Sequence, residues 1–195
     1  MPNLAGIIPE NGYSGMSQKP QGIVPPAKGK AIQMKMSEEL EVEFAKQITR
    51  EYESSFLYRQ LAIEVELRDL PGMASWLRAQ SAEELTHADR LIKHLTDRDN
   101  HPVIGDISIP SIKVEEVADV FEIALEAERA VSEGIRNLYI QAEAEHDLDS
   151  RPTIDWFISE QVEEEATVSE ILGRLRLVHG DGSGLLRIDA ELSAA

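Results

Sequence analysis

From Ser37 onward, apolar side chains recur at alternating steps of three and four over four long stretches, the spacing that keeps one helical face towards a core. These stretches predict helices over Ser37 to about Leu67, Pro71 to about Arg98, Val114 to about His146, and Pro152 to His179. Punctuation separates them. Arg68-Asp69-Leu70-Pro71-Gly72 closes the first, with Asp69 expected to cap the second helix and Pro71 to start it. Asp147-Leu148-Asp149-Ser150 divides the third from the fourth, which Asp181-Gly182-Ser183-Gly184 is expected to end. Leu185 to Leu192 predicts a short fifth helix. Between Asp99 and Lys113 no helical period survives, and Pro102 and Pro110 break the run.

Connection lengths then give topology. The first and third connections are short, so each joins an antiparallel pair. A helix of 28 residues is about 42 Å long, and about 15 extended residues reach roughly 50 Å. The middle connection can therefore cross the whole bundle and leave helices two and three parallel. The predicted fold is all-α: one four-helix bundle with a long crossover and a short C-terminal fifth helix.

Reading the seams residue by residue exposes an anomaly. The first runs Phe44, Ile48, Glu51, Ser55, Tyr58, Ala62, Val65, and the second Met73, Leu77, Gln80, Glu84, His87, Leu91, His94. The third runs Val114, Val117, Phe121, Ala124, Glu128, Val131, Ile135, Leu138, and the fourth Ile154, Phe157, Gln161, Glu164, Val168, Ile171, Leu175. Glu51, Glu84, His87, Glu128, Gln161 and Glu164 thus interrupt apolar seams near the middle of each helix. An uncompensated buried charge costs several kcal/mol, against roughly 5 to 15 kcal/mol for a whole domain. No Lys or Arg occupies a seam position, so protons or metal ions must supply the missing positive charge. Oxygen donors with one imidazole and no sulfur suit iron or manganese and tolerate zinc.

Taken singly, each residue has an ordinary reading. A lone helical Glu is usually solvated, and a bare E-x-x-H such as Glu84 to His87 occurs in many helices. The run Glu163-Glu164-Glu165 resembles a solvated acidic face, the reading kept for Glu165. Tyr58 reads first as a core aromatic, and His94 as a helix-end or surface histidine. The joint pattern on four helices is what makes a site.

Composition narrows the partners. The chain has 195 residues, enough for one well-buried domain, and a net charge of -17 from 36 acids against 19 bases. Such a surface repels nucleic acid and anionic membranes and favours cations. With no cysteine, disulfides and thiolate sites are excluded. No apolar run suggests a secretory signal or a membrane span, and the expected location is cytoplasmic. Residues 1–35 differ from the rest: five of the nine prolines, five of the twelve glycines, four lysines and one acid, Glu10, fall there. They predict a flexible N-terminal arm, with residues 36–195 forming the bundle domain.

Glu51-Tyr52-Glu53-Ser54-Ser55-Phe56-Leu57-Tyr58, Ala82-Glu83-Glu84-Leu85-Thr86-His87, Ala127-Glu128-Arg129 and Ser159-Glu160-Gln161-Val162-Glu163-Glu164-Glu165 resemble the bacterial non-haem ferritins. Leu186-Arg187-Ile188-Asp189-Ala190-Glu191-Leu192 resembles their short terminal helix, and the likeness covers about residues 37–195. It implies a ferritin-like bundle and a di-iron ferroxidase centre. One iron would be held by Glu51, Glu84 and His87, and a second by Glu84, Glu128 and Glu164, with Gln161 beside the site and Tyr58 behind it. A third iron position would use Glu83, Glu160 and Glu163. Also implied are oxidation of Fe(II) by dioxygen or hydrogen peroxide, storage as ferric mineral, and a homo-oligomeric cage of 24 subunits. Two departures sharpen the match: the fourth helix carries Gln161-x-x-Glu164 in place of the second E-x-x-H of bacterioferritins and di-iron oxygenases, and Leu85 stands where bacterioferritins ligate haem through methionine. No haem is therefore expected. The alternatives are a non-catalytic cage subunit that only nucleates mineral, and a di-metal oxygenase. For the arm, besides disorder, the options are lining or plugging the cage, or loading the subunit into an encapsulating shell.

Overall fold

The structure is a computed structural model that describes residues 35–194, so the arm expected over 1–35 lies, but for its last residue, outside the described residues. Five helices and no strand are present among them: α1 (Glu38–Glu66), α2 (Pro71–Asp97), α3 (Val117–Ala144), α4 (Arg151–Leu177) and α5 (Gly182–Leu192). α1 packs on α2 and on α3, α3 packs on α4, and α5 rests against α2 and α4.

The course of the crossover can be followed from its hydrogen bonds to α1. Asn100 Oδ1 accepts from Met36 N at 3.0 Å, ahead of the N-terminus of α1. Gly105 N then donates to Thr49 Oγ1 at 2.9 Å and Ser108 N to Glu53 Oε1 at 3.0 Å. Beyond the far end of α1, Arg68 Nη2 donates to Val114 O at 2.8 Å. The connection thus runs the length of α1 in the same direction, so that α3 starts where α1 ends and lies parallel to α2. The long crossover and the short fifth helix are those expected.

Several boundaries, and the cap of α2, differ from those expected. α3 begins at Val117 rather than Val114, because the Asp119 carboxylate accepts from the Glu115 and Glu116 amides at 2.8 and 2.9 Å. These bonds hold the Asp119 carboxyl below its ordinary pKa. Asp69 does not cap α2: it adopts a left-handed φ of 59° in the turn after α1, and Leu70 occupies the cap position. The acceptor is instead Asp189 of α5, whose Oδ1 takes the Met73 amide at 2.8 Å. The Asp181-Gly182-Ser183-Gly184 segment does not end α4, which stops at Leu177. Asp181 instead caps α5 by accepting from Ser183 N at 3.0 Å, so that helix starts three residues earlier than expected.

The apolar core comes in two clusters. One gathers Leu57, Tyr58, Leu61, Val65, Phe121 and Val168 with their neighbours towards the α5 end, and the other Phe44, Ile48, Leu91, Ile135, Leu138 and Phe157 towards the opposite end. The buried residues between them along the four long helices are polar but for Ala88, Val131 and Gly134.

Candidate metal centre

Each of the four long helices contributes to this polar belt from the middle of its seam. α1 supplies Glu51, wholly buried, and α2 supplies Glu84 and His87, three residues apart and therefore on one face. Glu128 of α3 and Gln161 of α4 are buried too, while Glu164, one turn beyond Gln161, is half-buried. Gln80, expected on the same seam, is half-buried and donates to Glu83 Oε2 at 2.9 Å.

Serine and glutamine tether most of these groups. Ser54 Oγ donates to Glu84 Oε1 at 2.8 Å, and His87 Nδ1 lies 3.3 Å from Glu84 Oε2. Tyr58 OH donates to Glu128 Oε1 at 2.5 Å, and Gln161 Nε2 donates to Glu128 Oε2 at 3.1 Å. Gln47 Nε2 donates to Glu51 Oε1 at 2.7 Å. The other oxygen of that carboxyl, Glu51 Oε2, is buried without any hydrogen-bond partner. The His87 ring is held edge-on by Trp156 and Phe157, at centroid distances of 5.6 and 5.7 Å.

The electrostatics follow from burying acids together. Burial, then the Glu84 charge, raises the Glu51 carboxyl well above its ordinary value. The same causes lift Glu128 to about 8. Burial and the Glu83 charge lift Glu164 to about 7. Burial alone would lower His87, but the hydrogen bond and charge of Glu84 outweigh it and the net shift is upward. Burial and the Glu128 charge push Tyr58 up, so it stays a neutral donor.

Two groups of ligand atoms converge, each with its members within 4.8 Å of one another: Glu51, Glu84 and His87; and Glu83, His87, Glu160 and Glu164. The donor set suits an iron-like cation, since all ligands are carboxylate or imidazole and the orphaned Glu51 oxygen lacks the partner that a cation would provide. Glu128 falls in neither group and is bound instead to Tyr58 and Gln161. Glu163 is exposed and also in neither. Glu165 is not simply solvated: it is half-buried, accepts from Ser132 Oγ at 2.5 Å, and has Arg136 Nη2 at 3.6 Å. His94 is half-buried between α2 and α4, 3.0 Å from Ser150 Oγ and 3.3 Å from Thr153 Oγ1.

Sequence reasoning missed Gln47, Ser54 and Ser132. A signal existed for two of them, since Gln47 precedes Glu51, and Ser132 follows Glu128, by the four-residue step that stacks side chains on one face.

Comparison with known proteins gives likenesses of family, sequence and structure. The family model described as a ferritin-like domain matches residues 43–178. A bacterial non-heme ferritin of Shigella flexneri is 33% identical over 147 residues, covering 75% of this chain and 89% of that protein. One from Staphylococcus epidermidis is 27% identical over 159 residues, covering 82% of this chain and 96% of that protein. Among solved structures, an open-pore ferritin from the hyperthermophilic archaeon Archaeoglobus fulgidus superposes with a TM-score of 0.81 at 31% identity, over 83% of this chain and 99% of that one.

Proposed function

The chain belongs to the ferritin-like family, and from that premise we propose that it is an iron-storage subunit that oxidises Fe(II) at its polar belt. The observation that carries the reading is the convergence of Glu51, Glu84 and His87 within 4.8 Å, beside a buried carboxylate oxygen with no partner. Iron is the substrate here. One Fe(II) binds Glu51, Glu84 and His87, and a second binds Glu84, Glu128 and Glu164.

Binding displaces the protons that burial keeps on Glu128 and Glu164, so two cations replace protons as the neutralising charge. Each Fe(II) then gives up one electron. Dioxygen takes both with two protons and leaves as hydrogen peroxide; with hydrogen peroxide as oxidant, the same two electrons and two protons yield two waters. Carboxylates favour the more highly charged Fe(III) product. Tyr58 and Gln161 hold Glu128 from opposite sides, and Trp156 and Phe157 fix the imidazole plane. Glu83, Glu160 and Glu163 form the third iron position on the way to mineral, in a cytoplasmic cage of 24 copies.

Glu84→Ala removes the ligand shared by the first two positions, and His87→Ala removes the imidazole of the first. Both variants should lose rapid Fe(II) oxidation while keeping the assembly size of the parent. Unchanged rapid oxidation in the two would overturn the site assignment.

A further inference from the structure

Gln47 is buried to 1% exposure and belongs to neither group of converging ligand atoms. Its amide is engaged at both ends: Nε2 donates to Glu51 Oε1 at 2.7 Å, and Oε1 accepts from Arg50 Nη1 at 2.8 Å. A primary amide can be turned over, and reversed it would present its carbonyl oxygen to the carboxylate. Arg50 carries only donors, so its contact selects the orientation that aims the amide N–H at Glu51. Gly134 of α3 covers this pair, for a Cβ there would come 1.9 Å from Arg50 Nη1 and 2.0 Å from Gln47 Oε1. The relay therefore needs glycine on the facing helix, and α3 in turn confines both side chains.

The consequence falls on Glu51. With Oε1 tied to Gln47, its other oxygen, Oε2, is left buried and without a partner. We propose that Gln47, oriented by Arg50 beneath Gly134, is a positioning residue that holds Glu51 as a one-oxygen ligand with Oε2 directed to the metal. The inference rests on the reading of Glu51 as a metal ligand. Without the relay the carboxylate is free to rotate, and Glu84, already beside it, competes with a cation for it.

The test uses the full chain in its assembled, metal-free form, titrated with Co(II) and followed by visible absorption, alongside Fe(II) oxidation. Gln47→Met keeps the bulk and removes both hydrogen bonds. It should weaken Co(II) binding about tenfold, in the range typical when a residue supporting a ligand is lost, and alter the Co(II) spectrum. The Fe(II) concentration for half-maximal oxidation should rise by a similar factor with little change in limiting rate. Arg50→Met should shift binding in the same direction by less, and Arg50→Lys should recover most of it. Parent-like affinity and spectrum in Gln47→Met, with binding lost in Glu51→Ala, would overturn the positioning role alone. Parent-like binding in Glu51→Ala would overturn the ligand reading and this inference with it. Should Gln47→Met fail to assemble, the Arg50 pair decides by the same readout: equal binding in Arg50→Met and the parent rejects the relay.

Discussion

Glu128 and Glu164 keep their protons at a pH where surface carboxyls have lost theirs, because burial and neighbouring acids disfavour the charged form. From an ordinary value of 4.5, the folded chain holds these protons to about 8 and about 7. Between those limits the fold binds more protons than the unfolded chain, so stability falls as pH rises and levels off above the folded values. Metal-free protein should therefore show a melting temperature that drops by several degrees from pH 5 to pH 8. Added Co(II) should flatten that slope by taking over the protons' role; a flat profile without metal would contradict it. At this scale the site was half legible. A Glu on an apolar seam is anomalous enough to be read from one chain, as Glu51, Glu84 and Glu128 were. A Gln or Ser beside it is not, since whether Gln47 or Ser54 touches a ligand depends on rotamers and on the facing helix, which seam spacing does not carry.

α2 and α5 show the same division between local and distant information. The seams of all four long helices could be read by period, because burial acts on every turn. The start of α2 could not: Asp69 has the residue type of a cap, yet it lies in the left-handed turn, and the Met73 amide is capped by Asp189, 116 residues further along the chain. Gly72 lets α5 approach so closely, since a Cβ there would sit 1.8 Å from the Asp189 carbonyl oxygen. Asp189→Ala should cost about 1 kcal/mol, the usual worth of a cap, measured by urea unfolding of the metal-free chain. Asp189→Asn, which keeps an acceptor, should recover most of the loss. Gly72→Ala should cost about 1 to 3 kcal/mol by forcing α5 away. No destabilisation in either Ala variant would mean that α5 is not the cap of α2.

For the molecule as a whole, the polar belt divides the apolar core in two, an arrangement that costs stability unless something neutralises the belt. The crossover, laid along α1, leaves Val103, Ile104, Ile107 and Ile109 exposed in the single chain, where association with other copies would cover them. Native mass measurement should give a particle of twenty-four chains; a monomer or dimer would exclude a storage cage. Oxidation at a two-iron centre is tested most directly by stopped-flow absorption with Fe(II) added in steps to the iron-free assembly under air. A fast phase should saturate at two Fe(II) per subunit and be lost in His87→Ala. A rate that grows with added iron without saturating, identical in parent and variant, would contradict it.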